Sequence, residues 1–199
     1  MISLTLCMIV KNEEAVLERI LNPVSEIVDE ILIADTGSSD RTKEIAGQYT
    51  QKAKEMAVEW ERMANDGDHY KLTFDKSGTW SQKYNLVWDK LMNWQIFPEQ
   101  IVKTEIPYYL TKQNRYGLPL DNRQTYTKTD WIMWTATLAP DKATFEEFIE
   151  PVYLFMNETT DRIPMSDWVF TDKPEHRAFQ ARSVVGGYFI KMLENKMNN

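Results

Sequence analysis

Gly78-Thr79-Trp80-Ser81-Gln82-Lys83-Tyr84-Asn85-Leu86-Val87-Trp88-Asp89-Lys90-Leu91-Met92-Asn93-Trp94 decides how the larger part of this chain is read. A polar, glycine-led loop runs into apolar residues at Tyr84, Val87, Trp88, Leu91 and Met92, the three- and four-residue steps of an amphipathic helix over Trp80 to Trp94. The same spacing recurs on both sides. Upstream, Ile45, Tyr49, Ala53, Met56, Trp60 and Met63 predict one helix from Arg41 to Ala64, since a lone Gly47 costs only ~1 kcal/mol. Downstream, Pro98 opens a helix through Ile101, Ile106 and Leu110. Thr129 or Asp130 begins one through Trp131, Trp134 and Leu138, and Asp141 one through Phe145, Phe148, Ile149, Val152 and Phe155. A last helix covers roughly Ala181 to Asn195. Helices joined by Gly, Pro and aromatic loops predict stacked helical hairpins.

The start of the chain is different in kind. The protein has 199 residues and 24 aromatic side chains, and the first of these is Tyr49. Residues 1–48 carry 4 basic and 9 acidic groups against 19 and 21 in the remainder, so composition and charge change together. Ile2 to Val10 and Glu30 to Ala34 read as strands buried on both faces, with a helix over residues 13–21 stopped by Pro23. Asp35 to Thr42 reads as a turn feeding a helix, with Ser39 or Asp40 available as its cap. Strand, helix, strand with short links predicts a parallel β-α-β unit whose ligand loops are Val10 to Glu13 and Asp35 to Ser39. The single cysteine, Cys7, excludes an intramolecular disulfide and an all-cysteine metal cluster, and its apolar surroundings predict a buried residue.

A formal charge of −7 argues against nucleic acid as a partner, which requires a surplus of cations on one face. No apolar run approaches the ~20 residues that span a bilayer, and the amino terminus lacks a basic leader, so the expected location as written is the cytoplasm. His69 and His176 are too few and too isolated for a metal site or a Ser-His dyad.

The residues able to do chemistry lie in loops where carboxylates alternate with Trp and Tyr: Asp66, Asp68, Trp80, Lys83, Asp89, Asp121, Asp130, Trp131, Asp167, Trp168 and Arg182. Such mixtures suit sugar or amide pockets. Each carboxylate also has a structural reading. Asp66-Gly67-Asp68 follows a helix end and is expected to form a turn, with Gly67 supplying the backbone angle. Asp130 and Asp141 are candidate helix caps, and Asp167 a loop organiser.

Two resemblances follow. Lys11-Asn12-Glu13-Glu14 and Val28-Asp29-Glu30-Ile31 through Asp35-Thr36-Gly37-Ser38-Ser39-Asp40-Arg41-Thr42 resemble the opening of family 2 glycosyltransferases. That resemblance implies nucleotide contacts from Lys11, Asn12, Glu13, Asp35, Gly37, Ser38 and Asp40, and a divalent metal. The family's later metal-binding Asp-x-Asp after an apolar strand has no counterpart, so the main electrostatic contribution to leaving-group departure is missing. Residues 48–199 resemble the carboxyl-terminal part of the glutaminase A family. The match rests on Asp66-Gly67-Asp68-His69-Tyr70, the stretch from Gly78 to Lys90, Tyr109-Leu110-Thr111-Lys112-Gln113-Asn114, Gly117-Leu118-Pro119-Leu120-Asp121, Thr129-Asp130-Trp131 and Phe179 to Tyr188.

The glutaminase resemblance implies a mainly α fold, a partial (α/α) six-hairpin toroid, preceded here by the small βαβ segment of residues 1–47. It implies hydrolysis of the glutamine side-chain amide, without a cofactor, in an exported parent family, and assigns no nucleophile. The reading is a fragment or chimera of such an amidohydrolase, weakly active or inactive alone, taking glutamine, a similar amide or a sugar. Alternatives are a nucleotide-sugar transferase and a non-enzymatic binding or assembly fragment. An open toroid would leave apolar helical faces able to self-associate.

Overall fold

The computed structural model describes residues 4–197, and of residues 50–52 only the backbone. The chain divides into two compact units, residues 1–59 and 60–199.

In the first unit, β1 (Thr5–Val10), α1 (Leu17–Ser25) and β2 (Glu30–Asp35) lead into α2 (Thr42–Ala64), which runs on past Gly47. β1 and β2 pair in parallel, Thr5 opposite Glu30 and Val10 opposite Asp35, as the β-α-β pattern requires. Ile2, assigned to the first strand, lies outside the described residues. Burial on both faces is not found: Leu6, Met8 and Val10 turn toward Leu17, Leu21, Ile45 and Ala46, while Cys7 is exposed and Ile9 is 80% exposed. The physical reason is that the helical residues in this cluster cover one face of a two-stranded sheet, so side chains alternate with the pleat. Pro23 does not stop α1 but lies within it. It falls in the last turn, where the buried Leu17 and Leu21 anchor the helix and the absent proline N–H removes a single bond.

The second unit continues with α3 (Leu86–Leu91), α4 (Glu99–Leu110), α5 (Thr129–Thr137), α6 (Lys142–Glu158), a 3-10 segment (Ser183–Phe189) and α7 (Ile190–Met197). The fold is mainly helical, as expected. α5 is central, packed against α3, α6, α7 and the 3-10 segment, around a core that includes Tyr70, Val87, Ile101, Tyr109, Ile132, Ala136 and Phe148. Pro98 occupies the position before α4, and Asp141 caps α6 by accepting the Thr144 N–H at 2.8 Å.

Three differences from the periodicity have local causes. The helix expected over Trp80 to Trp94 begins only at Leu86, because Gln82 is pinned in extended backbone: its N–H meets the Leu120 carbonyl at 2.8 Å. Its side-chain amide donates to the Leu118 and Pro119 carbonyls and accepts from Thr135 Oγ1. The last helix is delayed to Ile190, with Gly186 and Gly187 in the 3-10 turn before it. Finally, β3 (Tyr126–Lys128) pairs antiparallel with β4 (Trp168–Phe170), strands of three residues that are too short for an alternating pattern to declare.

Candidate functional site

β3 and β4 bring together residues that lie far apart in sequence. Lys128 opposes Trp168 in the ladder, and the Thr129 N–H donates to the Asp167 carbonyl at 2.8 Å, so the first turn of α5 abuts the start of β4. Asp130 and Asp167 meet there, both buried. Asp130 is not a helix cap, contrary to the expectation. Lys128 occupies the capping position, and Asp130 sits inside the first turn, 3% exposed, with Oδ1 unpaired among the described residues.

Burial, joined by the charge of Asp167, pushes the Asp130 carboxyl up to about 6, against the opposing pull of helix-end amides and Lys128. Asp167 is contacted by Lys128 Nζ at 2.7 Å and by Arg182 Nη1 at 3.7 Å, while its Oδ1 is also unpaired. Trp134, one helical turn after Asp130, carries an unpaired indole Nε1. The backbone of Gly187 closes over both: a Cβ placed there would lie 2.8 Å from Trp134 Nε1 and 3.0 Å from Asp130 Cβ. Tyr188 bonds Thr129 Oγ1, and burial pushes its hydroxyl up to about 12. Tyr84 stacks on Trp131 at 4.0 Å and has its hydroxyl raised by burial, with Asp130 contributing. Trp168 lies between Tyr126, which it meets edge-on, and Phe179, on which it stacks.

Of the residues singled out from sequence, Asp130, Trp131, Asp167, Trp168 and Arg182 therefore form one group. Asp66, Asp68, Trp80 and Lys83 belong to another. Asp66 accepts from Ser77 Oγ and the Gly78 N–H, and Asp68 contacts His69 Nδ1 at 2.7 Å, within a turn where Gly67 has φ +90°. His69 stacks on Tyr108, against whose edge Trp80 packs. Lys83 Nζ pairs with buried Glu105 at 3.2 Å.

Asp89 and Asp121 join neither group. Asp89 accepts the Ile96 and Phe97 N–H groups beside a 680 Å³ cleft, and Asp121 binds Arg123. Sequence reasoning missed Lys128, Trp134, Gly187, Tyr188 and Glu105. Glu105 had a signal, a charge inside the apolar stripe Ile101, Ile106, Tyr109.

In the first unit the two expected loops do meet. The Asn12 N–H donates to Ser38 Oγ and the Ser39 N–H to Asn12 Oδ1, while Asp35 accepts from Gly37, Ser38 N–H and Ser38 Oγ. Burial alone would raise the Asp35 carboxyl, but these bonds and Lys43 hold it below the usual range. Gly37 adopts φ +101°, and Asp40 accepts from Thr42 and Glu14. Lys11 and Glu13 are exposed. Among the described residues, no three His, Cys, Asp or Glu side chains are grouped to hold a metal ion, and no helix is long and apolar enough to cross a membrane.

Residues 32–192 match the glutaminase A six helical-hairpin domain. This chain belongs to that family. The glutaminase A of Aspergillus oryzae is 28% identical over 155 residues, covering 74% of this chain and 22% of that protein. A probable glutaminase of Arthroderma benhamiae is 26% identical over 174 residues, covering 71% and 20%. The chain thus spans about a fifth of the length of these relatives. A TPR repeat-containing protein of Synechococcus elongatus is 43% identical over 60 residues, 30% of this chain and 14% of its own. No solved structure matches.

The close approach of Gly187 is directly testable. Gly187→Ala should cost about 1–3 kcal/mol in urea unfolding, the usual cost of overpacking. Gly186→Ala, whose Cβ would meet nothing within 4 Å, should stay within about 0.5 kcal/mol. Equal effects of the two would contradict the packing of the 3-10 segment on α5.

Proposed function

We propose that this chain hydrolyses a primary carboxamide, the side-chain amide of glutamine, to the carboxylate and ammonia, with Asp130 and Asp167 at the chemistry. One observation carries the reading. In this group Asp130 Oδ1 and Asp167 Oδ1 offer two unpaired acceptors and Trp134 Nε1–H and Trp168 Nε1–H two unpaired donors, and a primary amide offers two N–H donors and a carbonyl oxygen with two lone pairs. An unpaired buried polar atom costs the folded state about 1–3 kcal/mol, so four of them in one group favour a ligand that completes them.

In this reading Asp130, ionised above about pH 6, takes a proton from the water that attacks the amide carbon. The Trp134 N–H stabilises the developing oxyanion. The tetrahedral intermediate collapses with cleavage of the C–N bond, and Asp130 delivers its proton to the departing nitrogen. Asp167, polarised by Lys128, holds the amide N–H. The backbone of Gly187 lies over Trp134 Nε1 and Asp130, so substrate must shift it, and turnover is expected to be slow. That the two relatives are a glutaminase A and a probable glutaminase supports the reaction class.

The test is glutamate release from L-glutamine followed by a coupled dehydrogenase. Turnover should rise with pH through about 6, as Asp130 ionises. Release that falls over the same interval would overturn the assignment of Asp130 as base, and no release at millimolar glutamine would remove catalysis. The acceptors of Asp35 and Asn12 in the amino-terminal turn are spent on its own backbone N–H groups and offer nothing to this chemistry.

A further inference from the structure

Arg182 differs from every other cation near the carboxylate pair. Lys128 is committed to Asp167 at 2.7 Å, and Arg177 lies over the rings of Tyr126 and Trp168. The Arg182 guanidinium stands off Asp167 at 3.7 Å, too far for a hydrogen bond, and none of its five N–H groups has a hydrogen-bond partner among the described residues. Its side chain is 35% exposed, yet it is not loose, because it stacks over the Phe179 ring at 4.6 Å, and Phe179 in turn stacks on Trp168.

The backbone leading to it is strained. Phe179 and Ala181 have φ of 63° and 51°, left-handed values that side-chain-bearing residues adopt at a cost and that cluster at ligand clamps. A fork of donors held by an aromatic face beside a carboxylate pair is the geometry that receives a planar anion bidentately.

We propose that Arg182 binds the α-carboxylate of the amino-acid substrate, so that the site selects a free γ-carboxamide amino acid over an amide without a carboxylate. The proposal rests on the amide reading of Asp130, Asp167 and Trp134. Scale supports it: four C–C bonds separate the amide carbon of glutamine from its carboxylate carbon, roughly 5 Å when extended. Arg182 lies beside the carboxylate that would hold the amide nitrogen, within that reach.

The experiment is a chemical-shift titration of the Trp134 indole N–H with L-glutamine and with butyramide, which keeps the amide and lacks the carboxylate. Wild-type protein should bind glutamine at least tenfold more tightly than butyramide. Arg182→Gln should erase that advantage and leave butyramide unchanged, and Arg182→Lys, which keeps the charge without the fork, should restore part of it. If butyramide binds while Arg182→Gln leaves the glutamine advantage intact, or weakens both ligands equally, the role of Arg182 is overturned and the amide site stands. If neither compound moves the Trp134 resonance, the amide site fails and the Arg182 proposal fails with it.

Discussion

Asp130→Asn is expected to lower glutamine turnover by 100-fold or more while making the protein more stable at neutral pH. The first effect follows from removing the group proposed to move the proton, a contribution of about 10²–10⁴. The second follows from linkage. The Asp130 carboxyl stands at 3.8 in the unfolded reference and is pushed up to about 6 by burial and by Asp167 in the folded protein. Between these values the folded state binds the proton that the unfolded state has released, so stability falls as pH rises from about 4 to about 6 and is level above that. Two pH units correspond to about 3 kcal/mol at most, and partial relaxation reduces the expected gain to about 1–3 kcal/mol at pH 7. Asparagine keeps the shape and never ionises. Urea unfolding of both proteins should therefore coincide near pH 4 and separate progressively to pH 6. A variant less stable than wild type at pH 7 would contradict the uncompensated burial of this carboxylate, and undiminished turnover would sink its chemical role.

That pair of effects also explains what the sequence could and could not say. Asp130 and Trp134 stand four residues apart in a clear helical pattern, so their shared face was legible, and Asp141 announced its cap correctly. Asp130 looked equally like a cap, however, because a carboxylate at the start of a helix is ordinary, and what buries it is the Lys128–Trp168 ladder, spanning 40 positions, with the Gly187 backbone over it. Such a contact leaves no local period. Gln82 illustrates the same limit from the other side. The apolar spacing from Tyr84 to Met92 is real, but five hydrogen bonds between Gln82 and distant groups hold this segment extended. In the first unit the parallel register was legible from strand, helix, strand. The exposure of Cys7 and Ile9 was not, since it depends on how many layers cover the sheet rather than on the strand itself.

Glu105→Gln or Lys83→Met should each cost about 3–5 kcal/mol, the usual cost of removing one partner of a buried ion pair. Both side chains are buried, Glu105 to 2% and Lys83 to 10% exposure, and Lys83 Nζ lies 3.2 Å from Glu105 Oε1. Burial pushes the Glu105 carboxyl up and the Lys83 ammonium down, and their mutual attraction opposes both shifts. Neither partner is easily solvated alone. Lys83 also donates to the Tyr70 and Ser81 carbonyls, and Glu105 accepts the Tyr70 N–H at 3.0 Å, so the pair ties α4 to the extended segment before α3. Removing one partner strands the other charge, whereas the double variant Lys83→Met/Glu105→Leu removes both charges and should recover much of the loss. At roughly 3 °C per kcal/mol, each single variant should melt about 10 °C lower, with the double variant between them and wild type. Additive losses in the double variant would mean the two charges do not sense each other. The consequence reaches the chemistry, because Tyr84, the next residue after Lys83, stacks on Trp131 and faces Asp130. Glu105→Gln should therefore weaken turnover as well as stability, while in the double variant, where the segment before α3 is still held by Gln82 and by the Tyr109 hydroxyl on the Ser81 carbonyl, turnover should recover with the melting temperature.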